Sequence, residues 1–191
     1  KPPIIRFAST LTCMVVAGIL GWVNSITKDK IAAITWEKTV AAMQQVITAD
    51  DFSDAMELTD DMTAAAAAQG GTLDAVYEAQ SGGQVVGYAI NVEASGSQGI
   101  ISMMVGIDTD GAVTGVSIVT NAETSGIGSK VMGNEPLANG TGVLDQFIGK
   151  SAADGTLAVG TNVDAITGAT VSSKGVTTGV NTALAAAGAI G

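Results

Sequence analysis

The hydrophobic positions of the chain change their spacing along its length, and the first stretch is uncharged and moderately apolar. No residue from Phe7 to Thr27 is charged, a run of 21 residues. About 20 residues of helix cross the ~30 Å hydrocarbon core of a bilayer. The run therefore predicts a membrane-spanning helix. A signal-peptide core and a buried helix are the alternatives, and the lack of a clean small-x-small cleavage pattern after the run favours an uncleaved anchor.

A helical period continues beyond the apolar run. Apolar residues recur at intervals of four, three and four positions, up to the acidic pair Asp50 and Asp51, which predicts one buried stripe on a helix. The stripe consists of Trp36, Val40, Met43 and Ile47. We interpret residues 28–50 as a helical stalk between a membrane anchor, 1–27, and a folded domain, 51–191. Residues 52–71 predict only a loop with a short helix.

The period then changes to two, which is typical of strands. Strands are predicted at 73–80, 84–93, 100–108 and 112–121. Ser81-Gly82-Gly83 joins the first two and Thr109-Asp110-Gly111 joins the last two, as expected for β-hairpins. Two hairpins form an antiparallel sheet with one face free for helices, so the sequence predicts an α+β domain: antiparallel hairpins with packed helices after a single N-terminal transmembrane helix.

The C-terminal part of the chain returns to helical spacing. The apolar positions that define this last helix, over 171–187, are Val176, Val180, Leu184 and Ala187. A short helix around Leu144, Phe147 and Ile148 is predicted over 135–150, and a brief strand or turn over 156–162. These segments complete the predicted helical cover of the sheet.

The start of the last helix carries the candidate chemistry. Residues 164–173, here called the signature segment, read Asp-Ala-Ile-Thr-Gly-Ala-Thr-Val-Ser-Ser. The small residues Gly168 and Ala169 let the backbone approach a ligand closely. Thr170 then lies at or near a helix start, where unpaired N–H groups and the positive end of the dipole suit a phosphate. The alternative is that Thr170 or Ser172 only caps the helix, as Ser and Thr often do.

Composition excludes several other kinds of site. The chain has no histidine, so a serine-hydrolase triad lacks its base. A Walker-type phosphate loop needs Gly-Lys-Ser/Thr at its end, and Ser173 and Gly175 break that pattern. Cys13 is the single cysteine and cannot by itself hold an iron–sulfur cluster or a structural zinc ion. Any redox chemistry must therefore use an organic cofactor.

Charge is concentrated in the predicted domain. The formal net charge is −10, with 18 acidic against 8 basic residues. Of the acidic residues, 16 follow Lys38, against three lysines, so this part carries −13. Such a body repels phosphate backbones and anionic lipid headgroups, which disfavours nucleic-acid binding. Plain solubility is the alternative explanation of the charge.

The signature segment resembles the flavinylation motif Asp-x-x-Ser/Thr-Gly-Ala-Thr-x-Ser of an FMN-binding family. That family includes the G subunit of the Rnf electron-transport complex and the C subunit of the sodium-pumping NADH:quinone reductase. Its last motif Thr is esterified to the phosphate of FMN by a dedicated transferase. The resemblance implies that Thr170 carries FMN covalently, and that Asp164 orients the loop or is recognised by the transferase. The other implied cofactor contacts in the segment are Thr167, Gly168, Ala169, Ser172 and Ser173.

A second, weaker resemblance lies directly after the last predicted strand. Glu-Thr-Ser-Gly-Ile-Gly at 123–128 is similar to the Glu-Thr-Pro-Gly-Leu-Gly loop that helps to enclose the flavin in this family. The likeness implies contacts from Glu123, Thr124, Ile127 and Gly128. Ser125 stands where the family has Pro. A simple turn is the alternative explanation of such a Gly-rich loop.

The resemblance also implies a function. It predicts a single-pass protein of the cell membrane, with its amino terminus in the cytoplasm and its flavin domain outside. The protein would relay electrons in an Rnf-type complex that couples transfer from reduced ferredoxin to NAD to sodium or proton movement. The implied partners are a second flavin subunit, iron–sulfur subunits, the flavin transferase and the lipid bilayer.

Several alternatives to this function and topology stay open. Lysines flank the apolar run on both sides, so charge alone does not choose the orientation. The functional alternatives are the C subunit of the quinone reductase, a stand-alone extracellular flavin reductase, and a non-catalytic anchored domain that binds a partner through its acidic face.

Overall fold

The computed structural model describes residues 36–122 and 128–190. The chain divides into two compact units, Lys1–Thr39 and Val40–Gly191, and the fold described here is that of the second. The predicted membrane span, from Phe7 to Thr27, lies outside the described residues. Among the residues that are described, no helix has the length and apolar character needed to cross a membrane.

The second unit is built on a five-stranded antiparallel sheet in the order β1-β2-β3-β4-β5, so each strand pairs with its sequence neighbour. The strands are β1 (Asp51–Phe52), β2 (Thr72–Ser81), β3 (Gln84–Ser95), β4 (Ile100–Asp108) and β5 (Val113–Asn121). Both predicted hairpins and the α+β class are confirmed. The two-residue strand β1, at the edge of the sheet, was not predicted because two residues are too short to show a period.

One face of the sheet is covered by two helices, α2 (Asp60–Ala68) and α4 (Thr170–Gly188), which also contact each other. Alternate residues of β4 face them and are fully buried: Ile101, Met103, Val105 and Ile107. The predicted apolar face of α4 joins the same core. Burial at a period of two in the strand and of 3.6 in the helix explains why both patterns predicted their elements correctly.

The opposite face of the sheet receives the end of a first helix, α1, whose described part covers 36–46. Met43, Val46 and Ile47 are buried there against Ala89 and Met104. This confirms that the predicted stripe includes residues that pack on the domain.

Glycines and side-chain hydrogen bonds hold this end of the chain in place. A Cβ at Gly106 would collide with the carbonyl oxygen of Val46, so only glycine permits this approach. Thr114 donates a hydrogen bond from Oγ1 to the same oxygen at 2.6 Å. Asp50 comes a few residues later in the chain. Its carboxylate accepts hydrogen bonds from the hydroxyl of Ser81 and from the backbone N–H of Gly82, and these bonds, the first more than the second, lower its pKa. The link from α1 to the sheet is therefore specified residue by residue.

The connection from α3 (Gly128–Met132) to α4 is mostly irregular. The helix predicted within 135–150 is only a three-residue 3-10 turn, Asp145–Phe147. Asn134, at φ 54°, turns the chain, and its Oδ1 accepts a hydrogen bond from the backbone N–H of Leu144 at 2.7 Å. Phe147 and Leu144 are nevertheless buried in the core. Their spacing is typical of a helix, but the hydrogen bond between the Asn134 side chain and the Leu144 backbone fixes a loop instead.

Candidate functional site

The start of α4 is built from the signature segment. Gly168 has φ 85°, a left-handed conformation, and the N–H of Ala169 donates to the carbonyl of Ile166 at 2.9 Å, which closes a turn. Thr170 is the first residue of the helix, as the spacing predicted. The N-cap position is Ala169, and no side-chain cap hydrogen bond is made there. Of the two residues in the capping alternative, Thr170 and Ser172, Thr170 is therefore not at the cap position.

The first turn of α4 has one exposed and one buried side. Thr167, Gly168 and Thr170 are exposed, whereas Ser172 and Ser173 are buried. The first N–H groups of a helix have no intrahelical partner, and the dipole places partial positive charge there. Thr170 thus presents its hydroxyl to solvent at a helix end that favours an anion.

The hydroxyl of Ser173 is an exception to normal hydrogen bonding. Only 2% of the residue is exposed, and of the buried side-chain polar atoms in the described part of the chain its Oγ is the one without a hydrogen-bond partner. The backbone of Ser173 is paired on both sides, since its N–H donates to Ala169 and its carbonyl accepts from Oγ1 of Thr177. Buried polar groups are nearly always satisfied, so an orphaned hydroxyl in a candidate site fits a ligand that supplies an acceptor.

Asp164, at the beginning of the signature segment, is exposed and held through its backbone. Oε1 of Gln146 accepts from the N–H of Asp164 at 2.8 Å, and Nε2 of Gln146 donates to the carbonyl of Asp164 at 2.9 Å. Nε2 also donates to the carbonyl of Val143. The Gln146 amide therefore acts as a two-point clamp that fixes where the segment leaves the preceding loop.

The other candidate loop begins at the end of the sheet against which α4 starts. A Cβ at Gly175 would lie 2.6 Å from the carbonyl oxygen of Ser95 and 3.2 Å from Cα of Gly96, so the helix starts against the β3–β4 turn. A Cβ at Gly99 would lie 2.9 Å from Cβ of Ala122, so the end of β5 lies beside the same turn.

The far end of this loop also returns towards α4. Gly128 is the buried first residue of α3, which contacts α4. The remaining predicted loop contacts, Glu123, Thr124 and Ile127, lie outside the described residues. One end of the Gly-rich loop thus lies beside the turn against which α4 starts, and the other end lies in a helix that contacts α4.

Two cations belong to this region and were not singled out from the sequence. Lys174 is exposed and lies four residues after Thr170, so the two side chains neighbour each other on the helix surface. Lys130 is exposed in α3. They are two of only three lysines that follow Lys38 in a strongly acidic region. The scarcity of lysines in this region was the feature of the sequence that could have singled out these two.

Comparison with known proteins agrees with this placement. The model of the FMN-binding domain family matches residues 96–185, from the β3–β4 turn through most of α4. The chain is 42% identical over 114 residues to the G subunit of the "Na(+)-translocating ferredoxin:NAD(+) oxidoreductase complex" of Acetobacterium woodii, a match that covers 56% of this chain and 51% of the relative. The chain thus spans about half the length of that relative.

Longer matches extend to other organisms. The chain is 30% identical over 176 residues to the G subunit of the "Ion-translocating oxidoreductase complex" of Methanosarcina acetivorans, covering 89% of this chain and 86% of the relative. It is 32% identical over 186 residues to the protein of the same name from Shewanella baltica, covering 91% and 84%. These similarities include the sheet, the Gly-rich loop and the signature segment together.

Proposed function

Since the chain belongs to the family of G subunits of ion-translocating oxidoreductase complexes, we propose that it is an electron-transfer flavoprotein subunit of an Rnf-type complex and carries FMN as a phosphoester on Thr170. Flavins accept and donate electrons, and the protein supplies their binding, orientation and electrostatic surroundings. The reaction of the whole complex would be transfer from reduced ferredoxin to NAD coupled to sodium or proton movement.

The observation that carries this proposal is the geometry at the start of α4. Thr170 is exposed on the first turn, the N-cap residue Ala169 makes no side-chain cap bond, and Gly168 has a left-handed conformation in the turn before it. A phosphate esterified to this hydroxyl would lie beside the N–H groups of the first turn, at the positive end of the helix dipole. Lys174 adds a positive side chain on the same helix surface, within an otherwise acidic domain.

The remaining candidate residues have supporting roles in the proposal. Thr167, Gly168 and Ala169 would form the turn whose small residues let the backbone approach the phosphate closely. Ser172 lies on the buried side of the first turn. Glu123, Thr124, Ile127 and Gly128 would enclose the flavin from the adjoining loop. Asp164 would mark the segment for the flavin transferase, since its backbone is already held by Gln146.

The membrane arrangement is part of the same proposal. Residues 1–27 would anchor the chain, 28–50 would form the stalk, and 51–191 would hold FMN on the extracytoplasmic side, next to the other membrane subunits. A covalent bond suits such a site because a cofactor outside the cytoplasm cannot be replaced from the cytoplasmic FMN pool.

The decisive experiment is intact-mass spectrometry of the full chain, purified in detergent from cells that contain the flavin transferase. We expect a mass increase equal to FMN less one water, located on the tryptic peptide that contains Thr170. Thr170→Ala should abolish the adduct. Thr109→Ala, which removes an exposed hydroxyl on the β4–β5 turn outside the signature segment, should retain it.

An unmodified Thr170 in such a preparation would overturn the proposal and favour the non-catalytic, partner-binding alternative. An adduct on Thr170 together with co-purification of an NADH:quinone reductase would instead assign the chain to that complex. An adduct on a chain that purifies without any further membrane protein would favour the stand-alone flavin reductase.

A further inference from the structure

We infer that the hydroxyl of Ser173 is a hydrogen-bond donor to the phosphate of the FMN ester, and that it has no partner until the ester has formed. The inference rests on the proposed flavinylation of Thr170. It adds a second residue that binds the phosphate and a reason why cofactor attachment should stabilise the start of α4.

The side chain of Ser173 is directed towards the start of α4. The Cα–Cβ bonds of a helix tilt towards its N-terminus, so a side chain covers the turn that precedes it. Ser173 lies three residues after Thr170, and its Oγ is therefore directed over the turn that contains Ala169 and Thr170. A phosphate on the Thr170 oxygen would bring acceptor oxygens to that same turn.

The hydroxyl of Ser173 lacks the hydrogen bond that such a group normally makes in a helix. A serine or threonine in a helix often bonds the carbonyl four residues earlier, as Thr177 bonds that of Ser173, but Oγ of Ser173 makes no such bond and has no partner. An unsatisfied buried hydroxyl is unfavourable, and a bond from a hydroxyl to a charged acceptor is stronger than one between neutral groups. The hydroxyl therefore has most to gain from an anion at the first turn.

Thermal unfolding of the full chain in detergent, with and without the ester, tests this inference. We expect flavinylation to raise the Tm of the unaltered chain, and Ser173→Ala to reduce that rise by on the order of 5 °C. In the unflavinylated form, Ser173→Ala should leave the Tm unchanged or raise it, because no hydrogen bond is lost. The 31P NMR shift of the ester should also move in Ser173→Ala, since a donor to the phosphate has been removed.

Thr177→Val is the matched control. It removes a buried hydroxyl one turn further along α4 whose bond goes to the carbonyl of Ser173. It should therefore lower the Tm equally in both forms and leave the 31P shift unchanged. If Ser173→Ala lowered the Tm equally in both forms, with no change of the 31P shift, the inferred bond would be excluded. Intact mass is measured first, so absence of the adduct in the unaltered chain would overturn the proposed function itself.

Discussion

Gly168 is the residue whose conformation determines where Thr170 stands. Its φ of 85° lies in the left-handed region, which costs residues with a Cβ roughly 1–2 kcal/mol. We predict that Gly168→Ala destabilises the domain by about that amount and lowers the fraction of chain that carries flavin, because the turn before Thr170 shifts. Urea unfolding and intact mass measure the two effects.

Gly140→Ala is the control for this change. Gly140 has φ 86°, and a Cβ there would meet nothing within 4 Å. The Gly140→Ala variant should lose a similar free energy of unfolding to Gly168→Ala but keep its flavin. Equal loss of flavin in both variants would mean that stability alone, and not the local turn, controls attachment.

Single residues also show the limits of sequence reasoning at the site. Thr170 was predicted at the helix start from the spacing of the apolar residues behind it, and its role was implied by the motif. Gln146 could not be predicted, because its two bonds to Asp164 join positions 18 residues apart in a loop without a period. The orphaned hydroxyl of Ser173 depends on three-dimensional burial and has no signal in the sequence.

At the scale of elements, predictability followed periodicity. The hairpins were predicted nearly to the residue, because strand alternation and the Gly-containing turns specify the same register. The short helix predicted over 135–150 is reduced to one 3-10 turn, Asp145–Phe147. Leu144, Phe147 and Ile148 looked like a helical stripe, but Asn134 bonds the backbone into a loop and Ile148 is exposed. Where side chains bond the backbone locally, an apolar spacing of three or four no longer identifies a helix.

The contact between α4 and the sheet gives a prediction about two glycines of one helix. A Cβ at Gly175 would meet backbone, the carbonyl oxygen of Ser95 at 2.6 Å, whereas a Cβ at Gly179 would meet the flexible end of Met103 at 2.5 Å. Alanine gains up to ~1 kcal/mol of helix propensity at either position, and overpacking a rigid neighbour costs roughly 1–3 kcal/mol. Gly175→Ala should therefore destabilise the domain clearly, and Gly179→Ala only slightly.

Urea unfolding of the two variants provides the measurement, with Gly188→Ala as a control at which a Cβ meets nothing within 4 Å. The reverse order, with Gly179→Ala the less stable variant, would show that Met103 cannot move aside. It would also show that the helix lies less tightly on the β3–β4 turn than the distances indicate.

At the scale of the whole second unit, the two faces of one sheet contact two different helices, α4 and α1. Its first face carries α4, with the flavin site proposed at the start of that helix, and its other face receives the end of α1 through Gly106 and Thr114. Both contacts involve β4, whose residues face α4 and α1 in alternation. The buried residues at 43–47 on one face and the proposed flavin site on the other are therefore joined through the same strand.

The topology of the full chain gives the last prediction. Cys13 is the only cysteine, so a Cys13→Ala background lets single introduced thiols report their side of the membrane. Asp110→Cys places a thiol on the exposed β4–β5 turn, and Pro3→Cys places one before the apolar run. With the domain outside, an impermeant maleimide should label Asp110→Cys in intact cells and Pro3→Cys only after lysis. The opposite labelling pattern would put the domain in the cytoplasm, where free FMN is available and the argument for a covalent bond no longer holds.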